Sequence, residues 1–295
     1  METSTKQAQQ TVRLRPGAAG DAEVLGQICY EAFRHISEAH GFPPDFPSAD
    51  PAIGLMQMML GHPNIYSVVA ESGDGEVVGS NFLWEMDTVS GVGPITIDPE
   101  QQNSATGRKL MEDVIRRSDE RGFPSIRLCQ ATYHNRSLAL YTKLGFNTVE
   151  PLSQISGTPP KVQIERYTVR KMTESDLDAV DAVCFAVHGH TRHNEAAAAI
   201  SQGTAMVVEH DGRITGYTTG IGFFGHTVGE SNRELMALIG AADQIAGPGF
   251  LAPTRNSELM RWCLDQGLRI VMPMTLMARG LYQEPRGAFF PSVLY

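Results

Sequence analysis

Residues 12–33 and 167–188 align without a gap at a constant offset of 155. Arg15 meets Arg170, Asp21 meets Asp176 and Cys29 meets Cys184, while apolar Leu14, Leu25 and Ile28 meet Val169, Val180 and Val183. Further on, Met206–Tyr217 repeats the hairpin signal around Ser67–Ser80, with Gly216 matching Gly79. A chain that runs through strand, turn, helix and hairpin twice is constrained to two copies of one folding plan. Its 295 residues suit two domains of ordinary size. The turn-rich run S-G-T-P-P-K at 156–161 is the natural boundary. The expected organisation is a polar, disordered tail over 1–11, a first unit over 12–160 and a second over 161–295.

The first unit reads as a short strand from Val12 that ends at Pro16, then a helix entered through Asp21 with Val24, Leu25, Ile28, Cys29 and Ala32 at helical spacing. A proline-rich loop over 40–51 leads to a Met-rich helix from Ile53 to Leu60. Two strands, 65–71 and 76–86, flank the hairpin signal Ser72-Gly73-Asp74-Gly75.

Ile95 to Met111 then reads I-T-I-D-P-E-Q-Q-N-S-A-T-G-R-K-L-M. Ile95 and Ile97 flank Thr96 in strand-like alternation, and Asp98-Pro99 stops the strand because proline lacks a ladder N–H. From Arg108 the pattern is helical, with Leu110, Met111, Val114 and Ile115 on one face. A strand, a turn of small residues and a helix start aim backbone N–H groups at one spot, which suits a phosphate. Gly122 caps that helix, a strand follows over 125–131, and N-R-S-L-A-L-Y-T-K-L-G-F occupies 135–146.

Composition narrows the function classes. A net charge of −9 leaves no electrostatic footprint for nucleic acid; it mildly favours cationic small molecules, although a solvated acidic surface explains it as well. Cys29, Cys129, Cys184 and Cys263 stand far apart, with neither metal-ligand nor disulfide-framework spacing, and read as reduced thiols. The N-terminal residues lack the apolar core of a signal peptide, and no run approaches the ~18 apolar residues of a membrane span. A cytoplasmic protein without a membrane partner is the expectation.

Two motifs in register carry a family resemblance. Gln102, Ala105 and Gly107 follow the [QR]-x-x-[GA]-x-[GA] pattern of the pyrophosphate loop in the GNAT acyltransferase superfamily, although Asn103 stands where glycine is frequent. The run from Asn135 to Phe146 resembles the family's N-x-x-[SA]-x-x-L-Y-x-K-x-G-F, placed about 28 residues beyond Gly107. The resemblance covers roughly 12–155. It implies an α/β fold, an α+β mixed sheet in which two tandem GNAT-like domains are each a twisted mixed sheet flanked by helices.

It also implies the site. Backbone amides over Asn103, Ser104, Ala105, Thr106, Gly107 and Arg108, with Gln102 in the same loop, would hold the pyrophosphate of acetyl-CoA. Main-chain groups of Ile95 and Ile97 would pair with its pantetheine arm, and Asn135 would contact that arm or act as a plain N-cap. Tyr141 matches the tyrosine that protonates the departing thiolate, a role suited to a phenol that stays protonated at neutral pH; as residues alone it reads equally as a core tyrosine. No motif position supplies a base for the amine. Glu85 leads the acidic candidates, followed by Asp87 and His134.

The second unit resembles a degenerate copy. Matching Leu259 to Leu110 makes the helix over 256–268 the counterpart of the one ending at Arg121-Gly122, and makes the strand from Arg269 the counterpart of that at Ser125. Neither motif then recurs. The copy serves either as a structural wall of the active cleft or, through Gly247, Gly249 and Arg255, as another anion site. H-G-H-T-R-H, with His188, His190 and His193, falls in an expected loop that lines substrate rather than metal, and the run 287–295 is a last strand.

The function that follows is transfer of acetyl from acetyl-CoA, bound as co-substrate without metal, to the amine of a small molecule. A non-catalytic acyl-CoA-binding or scaffold protein is the alternative, and a homodimer is compatible with either.

Overall fold

The computed structural model describes residues 12–101 and 105–295. It forms two units, one built on the chain up to Trp84 together with Val92–Arg121, the other on Glu85–Gly91 together with Gly122–Tyr295. The expected tail and Gln102, Asn103 and Ser104 lie outside the described residues.

In the first unit, β1 (Arg13–Pro16) stops at its proline and Asp21 turns the chain into α1 (Ala22–Ala39). The Asp21 carboxylate accepts from the Ala18 amide at 2.8 Å and from the Arg15 guanidinium at 2.7 and 2.8 Å. The α2 helix (Ala49–Gly61) begins earlier than the prolines suggested, because Pro51 sits in its first turn, where a missing N–H costs nothing. Gly26 of α1 lets the two helices touch: a Cβ there would lie 2.5 Å from the Cα of Ile53. Gly26→Ala must push the helices apart, and we expect a lowered melting temperature in a thermal unfolding scan, despite alanine's better helix propensity.

β2 (Ile65–Glu71) pairs antiparallel with β1 and with β3 (Val77–Trp84). Leu25, Cys29, Met56, Met59, Val69 and Phe82 form the core between helices and sheet, so the Met-rich helix is core. The chain leaves this unit after Trp84 and returns at Val92, the last residue of β4 (Ser90–Val92). β5 (Thr96–Ile97) lies on β3, with Gly79 opposite Ile97. α3 (Thr106–Glu120) buries Leu110, Met111, Val114 and Ile115.

The second unit opens with β6 (Ser125–Ala131), α4 (Asn135–Lys143) and β7 (Asn147–Ser156). β8 (Tyr167–Lys171), α5 (Leu177–His188), α6 (His193–Ser201), β9 (Met206–His210) and β10 (Arg213–Thr218) repeat the opening of the chain. The repeat extends to atoms: Asp176 accepts from Arg170 at 2.7 and 2.8 Å and from the Thr173 amide at 2.8 Å, as Asp21 does with Arg15 and Ala18. β11 (Thr227–Gly229), α7 (Asn232–Ala241), β12 (Phe250–Pro253), α8 (Ser257–Asp265), β13 (Arg269–Gly280) and β14 (Ala288–Phe290) complete it.

One sheet of this unit runs β14-β11-β10-β9-β8, all antiparallel. In the other, β4 lies parallel to β6, and the order continues β6-β13-β7-β12. The fold is therefore mixed α/β, as expected. The end of the chain differs from expectation: β14 covers only 288–290, although Phe289, Phe290 and the residues after them are buried.

The correspondence of the second half is also corrected. Its late elements match the first half at an offset of 122, not 155. Ala131 pairs with Met274 and Leu152 pairs with Pro253, which is the same pair under that offset (131 to 253, 152 to 274). The His134 amide reaches Ala131 O at 3.0 Å, and the Asn256 amide reaches Pro253 O at 3.0 Å. The Phe146 amide reaches Tyr141 O, and the Leu268 amide reaches Cys263 O, both at 3.0 Å. So α8 answers α4, β13 answers β7, and the helix in the place of α3 is α7, which periodicity alone had not revealed. Leucines recur on any amphipathic helix, so their spacing does not fix which helices correspond.

This geometry is a reciprocal strand exchange. β13 sits between β6 and β7, and β12 flanks β7 on the other side. Even side-chain pairs repeat, with Thr132 and Thr275 hydroxyls 2.7 Å apart and those of Thr254 and Ser153 2.9 Å apart.

Candidate active site

In the first unit the expected strand shrinks to Thr96–Ile97, and its facing is the reverse of what polarity suggests. Thr96 is buried while Ile95 and Ile97 are half-buried. Gly79 permits this close approach, since a Cβ there would sit 2.5 Å from Thr96 O. The hydroxyls of Ser80 and Thr96, on directly paired residues, are buried without a partner among the described residues. Pro99–Gln101 forms a single 3-10 turn, and Ala105 then takes a left-handed conformation at φ 62 immediately before Thr106. That conformation is uncommon for a residue with a Cβ. Ala105, at the N-cap of α3, supplies no side-chain cap bond, and the Lys109 amide donates to Ala105 O at 3.1 Å. A helix start carries about half a positive charge, which favours an anion. Arg108 is exposed and pairs with Glu112 at 3.2 Å.

α7, the matching helix of the second half, is closed by its own side chains. Ser231 Oγ accepts from the Arg233 amide at 3.2 Å, and the Glu234 carboxylate accepts from the Ser231 amide at 2.9 Å. A carboxylate at that spot repels a phosphate. The alternative anion site fails too: Arg255 donates from Nε to both oxygens of buried Glu150 at 2.9 Å and is also bonded to Glu284.

The second unit carries the remaining expected residues. Asn135 is the first residue of α4; the N-cap is His134, whose ring accepts from the Ser137 amide at 3.4 Å. Tyr141 is buried, with its ring edge-on to Phe146 at 6.2 Å. Burial pushes its phenol up to about 12, opposed by the Ser137 hydroxyl. The proton is therefore held at neutral pH. At the equivalent place the second half has Cys263 on α8, so it lacks the phenol. Glu85 lies just beyond the end of β3 and is half-buried. Asp87 is committed elsewhere: its oxygens accept from the Asn194 and Glu195 amides at 2.9 and 3.1 Å, capping α6 from outside.

H-G-H-T-R-H spans the connection between α5 and α6. His188 ends α5, His193 begins α6, and His188, His190 and Arg192 are buried. His193 pairs with Asp181 at 2.7 Å, and no cluster able to hold a metal occurs among the described residues. Arg192 Nε donates to Glu195 at 2.7 Å. His226 Nδ1 lies 3.0 Å from the same carboxylate, and its Nε2 lies 2.8 Å from the Tyr217 hydroxyl. Burial, then the charge of Arg192, pushes His226 down to about 4 despite Glu195. Arg192 already neutralises that carboxylate, and a second buried cation would be in surplus. The sequence signal was present in R-H-N-E, an i,i+3 arginine–glutamate pair, but its partner His226 is 31 residues further on (195 to 226).

This network predicts an acid sensitivity. The unfolded chain takes up a proton at each buried histidine near pH 6.5, while the folded chain resists until about pH 4 at His226 and about pH 3 at His190. Stability is therefore full above pH 6.5 and lost progressively as pH falls from there toward 4. Melting temperatures across that window are expected to fall for the wild type and to fall less for His226→Gln.

Residues 28–146 match the acetyltransferase (GNAT) family model. An uncharacterized N-acetyltransferase of Bacillus subtilis (strain 168), YitH, is 29% identical over 150 residues. That stretch is 48% of this chain and spans half of that relative's length, 50%. A candidate acetyltransferase from Pyrococcus horikoshii shares the fold across 100% of this chain and 96% of its own, with a TM-score of 0.71 at 15% identity. A GCN5-related N-acetyltransferase from Sphaerobacter thermophilus superposes over 92% of this chain and 96% of its own, with a TM-score of 0.62 at 16% identity.

Proposed function

We propose, from the match of residues 28–146 to the acetyltransferase (GNAT) family model, that this chain moves an acetyl group from acetyl-CoA to the amine of a small molecule. Acetyl-CoA supplies an activated thioester, and the protein has to bind it, orient it and handle protons. The observation that carries the reading is the contrast between two matching helices. α3 begins after a left-handed Ala105 whose side chain supplies no cap, whereas α7 begins under its own serine and glutamate. Only the first suits a pyrophosphate.

In this reading the amides of Ala105, Thr106, Gly107 and Arg108 hold the pyrophosphate, along with Gln102, Asn103 and Ser104. The main chain at Ile95 and Ile97 pairs with the pantetheine arm, and Asn135 contacts that arm. Tyr141 Oη keeps a proton for the departing sulfur, and its burial keeps that proton in place at neutral pH. Glu85 is the proposed acceptor of the proton that the amine loses.

The test is release of free coenzyme A thiol from acetyl-CoA across a panel of small amines. Amine-dependent release with a mass gain of one acetyl group on the amine supports the reading. Saturable binding of acetyl-CoA with no turnover on any amine would favour a non-catalytic binder, and no binding at all would exclude both.

A further inference from the structure

β6 carries a buried carboxamide that bonds to nothing around it. Gln130 is 6% exposed, and among the described residues neither its amide nitrogen nor its amide oxygen has a hydrogen-bond partner. Turning the amide over changes nothing, since both ends are unpartnered. A polar group withdrawn from water in this way is unfavourable for the folded state, and native chains keep few of them.

Its place on the strand narrows what can complete it. β4 pairs with β6 through Ser90 opposite Ile126 and Gly91 opposite Arg127, and no further pair follows. From Leu128 to Ala131 the strand is held only by β13, with Thr275 opposite Gln130. Gln130 therefore stands where the β4 side of β6 has come open. Side chains alternate along a strand. Arg127 and Cys129 face the 292–295 segment: Cys129 Sγ lies 3.5 Å from Ser292 O, and the Arg127 guanidinium lies 4.3 Å from the Tyr295 ring centroid. Gln130 points the other way, on the face of buried Ile126 and Leu128.

The second half supplies the control. Gln130 stands opposite Thr275 and Ala252 stands opposite Ser153, which is the same pair under the offset of 122 (130 to 252, 153 to 275). Ala252 is fully buried in an apolar core. The position thus packs well with a methyl group, and the fold has no need of a carboxamide there. The half that carries one is the half that matches the acetyltransferase family model.

A carboxamide with a free donor and a free acceptor is the complement of another amide, which offers a C=O and an N–H in return. The pantetheine arm of coenzyme A is built on secondary amides. We infer that the Gln130 side chain bonds an amide of that arm, which makes Gln130 a residue that recognises the acyl donor rather than the amine. The identity of the donor rests on the acetyl-transfer reading. The contact is a side-chain one, additional to the main-chain pairing at Ile95 and Ile97. Because the amide is unsatisfied in the empty protein and satisfied in the loaded one, replacing it trades affinity for stability.

Calorimetric titration of the full chain with coenzyme A tests this. The Kd is expected to be at least tenfold weaker for Gln130→Leu and for Gln130→Met, which keeps the length of the side chain. Adenosine 3′-phosphate 5′-diphosphate, which keeps the pyrophosphate and lacks the pantetheine arm, is expected to bind all three proteins alike; an equal loss for this ligand would place the effect in the fold and overturn the contact. Without ligand the melting temperature is expected to stay or rise in the variants, and a clear fall in both would mark Gln130 as structural. Equal affinity of wild type and variants for coenzyme A would remove the contact and leave the acetyl-transfer reading standing. A wild type with no affinity for coenzyme A would remove both.

Discussion

A chain ended after Pro160 is expected to fail to fold by itself, although it contains every residue of the family match. In the whole chain β7 is paired on both sides, by β13 and by β12, and β6 is paired with β13. All three contacts come from beyond Pro160. Their loss exposes the edges of β6 and β7 and leaves Leu152 and Ile155, almost wholly buried, facing water. Glu150, also fully buried, would lose the guanidinium of Arg255 and stand as an unpaired interior charge. Size-exclusion chromatography and thermal melting of the fragment should show aggregate or no cooperative transition. Co-expression with residues 161–295 should restore a soluble complex, because the exchanged strands can associate in trans. A monomeric fragment melting near the full-length temperature would overturn this account.

Tyr141→Phe should lower kcat about 100-fold, the usual scale for a lost general acid, with little change in the KM for acetyl-CoA. The substitution removes one hydroxyl, so the stability cost is about 1 kcal/mol, that of one buried hydrogen bond. The ring remains to pack on Phe146. Burial holds the phenol proton far above neutrality, so a variant with unchanged kcat could not be explained by a tyrosine that was already ionised. It would mean that the proton for the sulfur comes from elsewhere. Full-length circular dichroism and acetyl-CoA titration of the same variant separate a folding defect from a chemical one.

The first half was legible to the level of elements. Pro16, Asp21 and the Gly-rich hairpin act through local backbone rules, and local rules are what a sequence displays. The strand over 125–131 and the helix from Asn135 were read to within a residue or two of their observed bounds. What failed was non-local. Thr96 is buried and its isoleucine neighbours are not, because the close approach at Gly79 decides which face turns inward. The second half was aligned wrongly beyond Tyr217, since it is shorter by 33 residues there (155 less 122) and leucine spacing cannot register a deletion. Backbone bonds around Asn256 and Leu268 do register it. His226 could not be linked to Glu195 in advance, because nothing in either segment encodes a partner across the fold.

The reciprocal strand exchange has a consequence for how such a chain can change over time. Two pairings that map onto each other under one offset are the signature of a two-fold axis, the arrangement by which identical subunits join. Here both partners belong to one polypeptide. A linker replaces association, so the contact persists at any protein concentration and no longer requires the partners to be identical. Each copy is then released from the symmetry that a true dimer enforces, in which every substitution occurs twice. Cys263 can stand where its counterpart is Tyr141, and Ser231 with Glu234 can cap one helix while a left-handed Ala105 precedes the other. A single gene thus holds what a homodimer never could: two halves joined by exchanged strands, each free to change without the other.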